Sequence, residues 1–172
     1  MGLRVFLGHG ASGTAASMAP FVEGLRARGI DATAIDLPKR KAEEAVDVLL
    51  RLAPPSRDVV VGGHSYGGRV ASLAAAEHGY AGLVCFSYPL HRPGHPEGTD
   101  DRIAHWPQIA CPVLLLSGEA DPFARLELLR ADVSRLPHGE LVTYPRLGHT
   151  LKPVLEEVLD RTARFVRSLP AS

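Results

Sequence analysis

Short apolar runs recur along the chain at Leu3–Leu7, Ala32–Asp36, Asp58–Val61, Gly82–Ser87, Val113–Ser117 and Glu140–Tyr144. They are apolar throughout rather than alternating, the pattern of parallel strands covered on both faces. Segments of helical period lie between them. Ala15–Arg28 puts Met18, Phe21, Val22 and Leu25 on one face and ends at Gly29. Lys41–Ala53 carries Ala42, Ala45, Val46, Leu49 and Leu50 and stops before Pro54-Pro55. Tyr66–His78 is small and apolar and ends at Gly79. Pro122–Leu136 and Pro153–Ser168 each have proline near the first turn, where its missing N–H costs nothing.

This alternation predicts an α/β fold: a three-layer sandwich with a mostly parallel six-stranded sheet flanked by helices. No repeat, low-complexity segment or long linker divides the chain, so residues 1–172 read as a single domain. One segment breaks the rhythm. Tyr88–Gln108 holds four prolines and three histidines and reads as an irregular pocket wall, with Tyr88, Leu90 and Trp106 as its apolar lining.

Composition narrows the function classes. Lys plus Arg equals Asp plus Glu at 19 each, so there is no basic footprint for nucleic acid. No apolar run approaches the ~18–20 residues that span a bilayer, and no membrane partner is expected. MGLRVFLGHGASG lacks the pattern of a signal peptide, which leads to the expectation of a cytoplasmic protein. Cys85 and Cys111 form no disulfide framework, and Cys85 reads as a buried free thiol.

The candidate chemistry begins at Gly63-His64-Ser65-Tyr66-Gly67, a G-x-S-x-G. The valines before it read as a strand and Arg69–His78 after it as a helix. That context makes a nucleophile elbow, a strained turn that lifts Ser65 above the sheet edge. The Tyr66 N–H, at the helix start, then points toward a developing oxyanion. A phosphate loop is the competing reading, but neither G-x-x-x-x-G-K-[ST] nor G-x-G-x-x-G occurs here.

A serine needs a base, and the elbow's chain order is Ser, then acid, then His. His149, in the Tyr144–Thr150 loop, is the candidate base. Asp121 is the candidate acid, with Glu119 as its neighbour and competitor; Asp121 also suits the N-cap of a helix starting at Pro122. The loop Gly8–Gly13 after the first strand is placed to present a second oxyanion N–H, with Ala11 preferred and Gly10 or Ser12 as alternatives. His9, Ser12, Tyr88, Leu90 and Phe123 read as substrate-contacting positions.

Taken in order, HG-x, G-x-S-x-G, GEADP and GH resemble the alpha/beta-hydrolase fold over nearly the whole chain. GHGASG, GGHSYGGRVAS, GLVCFSYPLHRPGHPE, SGEADPF and GHTLKP resemble a small compact family more closely. That family includes testis-expressed hydrolase-like proteins and the hydrolase-like region of a subunit of the NSL chromatin acetyltransferase complex. The resemblance implies a minimal hydrolase core without a cap domain, similar in style to dienelactone hydrolases. It also implies a strand order 2-1-3-4-5-6, with the site at the switch between strands 1 and 3.

Other clusters carry less. His91, His95, Asp100, Asp101 and His105 fall close together, but Pro93, Gly94 and Pro96 forbid a helical ligand spacing, so no metal is expected. Arg69 reads as a structural ion-pair partner rather than a substrate clamp. The expectation is a cofactor-free serine hydrolase acting on a small carboxylic ester or thioester. The alternative is a non-catalytic binding or scaffold domain that retains the fold.

Overall fold

The computed structural model describes residues 2–170; Met1, Ala171 and Ser172, which the single-domain reading includes, lie outside the described residues. The strands are β1 (Arg4–Gly8), β2 (Asp31–Ile35), β3 (Val59–His64), β4 (Gly82–Phe86), β5 (Val113–Gly118) and β6 (Gly139–Tyr144). They form one sheet in the order β2-β1-β3-β4-β5-β6. Every pair is parallel. The helices are α1 (Ala19–Ala27), α2 (Ala42–Leu52), α3 (Tyr66–Glu77), α4 (Thr99–Ile103), α5 (Leu126–Asp132) and α6 (Leu155–Ser168).

The central strands are buried on both sides because their side chains split between two cores. Val59, Val61, Leu83, Cys85, Val113 and Leu115 face the layer that contains α2, α3 and α5. Val60, Val84, Phe86, Leu114 and Leu116 face α1 and α6. This period of two with both faces apolar is the physical reason the strands look unpatterned in sequence. The edge strands β2 and β6 are only partly covered. The result is the expected three-layer sandwich, with the expected strand order.

Three elements differ from the sequence expectation. The first helix is interrupted: a 3₁₀ turn over Ala15–Met18 precedes α1, which starts at Ala19 with Pro20 in its first turn. Helix α5 starts at Leu126 rather than Pro122, with Arg125 at its N-cap, so Asp121 does not cap it. Its side chain is engaged elsewhere, as shown below. The segment after β4 is not an irregular pocket wall. It contains α4, and Tyr88, Leu90 and Trp106 are 2%, 0% and 1% exposed, packed into the α3-side core. Large apolar side chains gain most from full burial, and the face of α3 was available to cover.

Among the described residues, no helix is long and apolar enough to cross a membrane.

Candidate active site

Ser65 follows β3 directly and adopts φ 50°, a left-handed conformation that is rare for a residue with a side chain. The surrounding bonds hold it there. Its N–H donates to Phe86 O at 2.8 Å, and its carbonyl accepts from Arg69 N at 3.0 Å. The turn also packs against the first loop. A Cβ on Gly67 would lie 2.5 Å from Gly8 O and 2.8 Å from His9 O. Only glycine permits that approach, and Gly67 N–H donates to His9 O at 3.0 Å across it. The α3 N-terminus and the Gly8–Gly13 loop are thereby locked together.

His149 lies on the loop after β6. Its Nε2 is 2.8 Å from Ser65 Oγ and its Nδ1 is 2.8 Å from Asp121 Oδ2. With Asp121 ionised, Nδ1 carries the proton and Nε2 accepts from the serine hydroxyl. Asp121 is buried, and its second oxygen, Oδ1, accepts from Phe123 N at 2.8 Å. This tight turn explains the late start of α5. Glu119 is directed elsewhere: it accepts from Thr143 Oγ1 at 3.2 Å and faces Arg130 at 3.8 Å.

The loops carrying Asp121 and His149 are tied to each other. Ala120 N donates to Leu147 O at 2.8 Å, and Glu119 N donates to Tyr144 O at 2.9 Å. Leu147 and Gly148 cross so close to Gly118 that a Cβ there would overlap both carbonyls. Arg146, at φ 63°, makes the left-handed bend that turns this loop back over the strand ends.

Two rings flank the imidazole. Phe123 stacks on His149 with centroids 4.3 Å apart and planes at 30°. His64 packs on it at 5.1 Å. His64 Nε2 is 3.2 Å from the His149 carbonyl. Burial holds the His64 ring below its ordinary pKa, against the upward pull of that bond. The ring is therefore neutral near pH 7 and donates Nε2–H to the carbonyl.

A cavity of about 470 Å³ opens at Ser65, lined in part by Ala11, Ser12, Met18, Phe21, Phe123 and Leu151. The sequence reading therefore placed Ser12 and Phe123 on its wall, together with Ala11. It did not anticipate Met18 and Phe21, whose helical spacing marked them as core, or His64 and Lys152, which also line it. His64 occupies the variable position of G-x-S-x-G, and that was the only available signal.

Three expected contacts lie elsewhere. Tyr88 and Leu90 are in the α3-side core and do not line the cavity. His9 is 2% exposed; its Nδ1 donates to Gly10 O at 2.7 Å and its Nε2 accepts from Leu37 N at 2.9 Å. It braces the first loop and does not meet the cavity. Tyr66 directs its side chain away, donating its hydroxyl to Pro38 O at 2.7 Å. Its backbone N–H, at the first position of α3, has no preceding helical turn to donate to.

His91 was also read differently in sequence. It is buried, and its Nε2 accepts from Arg125 N at 3.0 Å, while its own N–H donates to Phe123 O at 3.1 Å. It thus pins the turn that carries Asp121 and Phe123. A larger hollow, about 600 Å³, lies at the opposite edge of the sheet near Leu3, Ile30 and Leu169, away from Ser65.

Elbow, strand order and the loops above β1, β3, β5 and β6 together define an alpha/beta-hydrolase architecture. A family model described as the alpha/beta hydrolase domain matches residues 3–167, and the chain belongs to that family. No curated protein matches the sequence, so the narrower likeness to testis-expressed and NSL-subunit proteins rests on the motifs alone.

Solved structures share the fold at low identity. A monoacylglycerol lipase from Paleococcus ferrophilus superposes with TM-score 0.81 at 16% identity, covering 98% of this chain and 96% of that one. An esterase from Pyrococcus furiosus gives TM-score 0.78 at 19% identity, with 99% and 82% covered. A thermophilic esterase from Thermogutta terrifontis gives 0.71 at 19%, with 97% and 89% covered.

Proposed function

We propose that the protein is a serine hydrolase cleaving a small carboxylic ester or thioester through Ser65, His149 and Asp121. The observation that carries this reading is the continuous relay from Ser65 Oγ to His149 Nε2 and from His149 Nδ1 to Asp121 Oδ2, each step 2.8 Å, at the mouth of a cavity. Ester chemistry is favoured over other hydrolyses because a lipase and two esterases share the fold.

In this reading His149 Nε2 takes the Ser65 proton as Oγ attacks the acyl carbon. The N–H groups of Tyr66 and Ala11 bind the oxyanion. Collapse expels the alcohol or thiol, which receives the proton from Nε2. Water then attacks the acyl-enzyme with His149 again as base. Asp121 keeps Nδ1 protonated and stabilises the imidazolium. Phe123 contributes its stacked face to that cation.

The apolar part of the cavity, Met18, Phe21 and Leu151, suits the acyl chain. The chain acts in this reading as one catalytic unit that needs no cofactor and has no nucleic-acid ligand. A fluorophosphonate probe tests it. Labelling of the wild-type protein that disappears in Ser65→Ala supports the hydrolase. No labelling, or equal labelling of both, returns the protein to the binding or scaffold class.

A further inference from the structure

Behind the elbow, three arginines converge. Arg69 lies in the first turn of α3, Arg92 in the segment after β4 and Arg102 in α4. They line a hollow of about 330 Å³, with Glu97 and Asp101 also on its wall, and share no lining residue with the Ser65 cavity.

Two of the three rest on a buried polar network. Ser72 Oγ donates to Arg69 O at 2.7 Å, and the Tyr88 hydroxyl donates to Arg102 O at 2.7 Å. His105 Nε2 bonds Ser72 Oγ at 2.7 Å. Ser72 and Tyr88 are 0% and 2% exposed. Burial, and then the Arg69 charge, push the His105 ring down to about 4. A neutral His105 therefore donates Nε2–H to Ser72, which donates onward. The backbone of both arginines is fixed from inside the protein.

Their charges are offset only in part, by Glu43 and by the Glu97 and Asp101 carboxylates on the wall. Arg69 pairs with Glu43 through Nη2 at 2.7 Å, while its Nε is buried without a partner. Arg102 donates only to Pro89 O, at 3.3 Å, and the Arg92 side chain forms neither a hydrogen bond nor an ion pair among the described residues. Burial, then the Arg69 charge and the weaker push of Arg92, hold the Arg102 guanidinium below its ordinary pKa. Glu97 is turned to His95 at 3.0 Å. Like charges gathered around a hollow cost free energy unless an anion joins them.

We propose that Arg69, Arg92 and Arg102 form a binding site for a phosphate dianion, either free or as the end of a small phosphomonoester. Forked guanidinium donors match several oxygens of such an anion at once. The hollow exceeds the ~30 Å³ of one water about tenfold, leaving room for phosphate and a short organic remainder. The site stands apart from the Ser65 chemistry.

Isothermal titration calorimetry on the full chain tests it, with inorganic phosphate in one arm and phenyl phosphate in the other, at constant ionic strength set with chloride. The second arm uses Ser65→Ala to prevent turnover. Saturable binding in both Ser65→Ala and wild type, weakened about tenfold or more by Arg92→Gln and by Arg102→Gln, supports the site. Tighter binding of phenyl phosphate assigns an esterified ligand; equal or weaker binding assigns free phosphate. Arg92 is exposed, so its replacement leaves folding intact. Heat that does not saturate, or affinity unchanged in Arg92→Gln, overturns the proposal.

Discussion

The contact between Gly67 and the first loop offers the sharpest test of how the fold positions the chemistry. In Gly67→Ala the new methyl group would meet Gly8 O at 2.5 Å and His9 O at 2.8 Å. Both are backbone atoms, so no side chain can rotate away. Ordinary contacts lie near ~3.5 Å, so Gly8–His9 must retreat by about 1 Å. That retreat breaks the bond from Gly67 N–H to His9 O, worth about 1 kcal/mol. Overpacking adds about 1–3 kcal/mol. Together they lower Tm by roughly 5–15 °C for a chain of this size.

The functional effect follows from where the displaced backbone leads. His9 is two residues from Ala11, the proposed second oxyanion donor. A shift of about 1 Å in a positioned donor costs on the order of 100-fold in rate. Because the donor acts on the transition state, the loss falls on kcat, with KM little changed. The assay is thermal unfolding together with steady-state hydrolysis of a p-nitrophenyl ester. Gly79→Ala, whose Cβ meets nothing within 4 Å, is the control and should move neither quantity. A Gly67→Ala protein with Tm and kcat both within error of wild type would show that the two loops are not locked. A destabilised protein with full kcat would instead remove Ala11 from the oxyanion site.

Other outcomes follow from the same structure. Asp121→Asn should lower kcat by about 10⁴-fold, whereas Glu119→Gln should leave it within a few-fold; the reverse order in a p-nitrophenyl ester assay refutes the assignment of the acid. Phe123→Leu removes the ring stacked on His149 but keeps the N–H that holds Asp121, so kcat should fall by about 3- to 10-fold, and unchanged turnover would leave the stacking without a catalytic part. His105 titrates near 4 in the folded protein and near 6.5 when unfolded, so its contribution is complete above about pH 6.5 and is lost as pH falls toward 4. The difference is at most about 3 kcal/mol, reduced to about 1–2 kcal/mol by the ring's partial exposure. Denaturant unfolding at pH 7 and at about pH 4.5 should show a smaller acid loss in His105→Gln, and parallel losses in both proteins would contradict the buried neutral ring.

Much of this architecture was legible because it rests on short-range signals. Asp58–Val61 and Val113–Ser117 read as strands because the two cores between them take every side chain of Val59–Val61 and of Val113–Leu116. The elbow was legible because its backbone requires glycine, and the order of Ser65, Asp121 and His149 named residues that the structure brings within hydrogen-bonding distance. The errors fell where side-chain direction depends on distant partners. Nothing local distinguishes a Tyr88 that lines a cavity from one that seals α3 against the sheet. His91 and His9 sit in segments without periodicity, and their bonds reach Arg125 and Leu37. Helix α5 starts late because Asp121 is bound to Phe123 N and His149, an arrangement fixed only once β6 has docked.

That last dependence bears on how the protein stops working. His149 sits on the loop that leaves β6, an edge strand paired on one side only, exposed at its first two residues and partly covered over the next three. When β6 frays, the bonds from Ala120 to Leu147 and from Glu119 to Tyr144 release together, and His149 leaves with them. The elbow, seated between the inner strands, outlasts that event. Heat or mild denaturant should therefore silence turnover before the helical signal declines. For the same reason a nascent chain synthesised only as far as β5 carries Ser65 without His149, and under the proposed mechanism hydrolysis would begin only when the final strand joins the sheet.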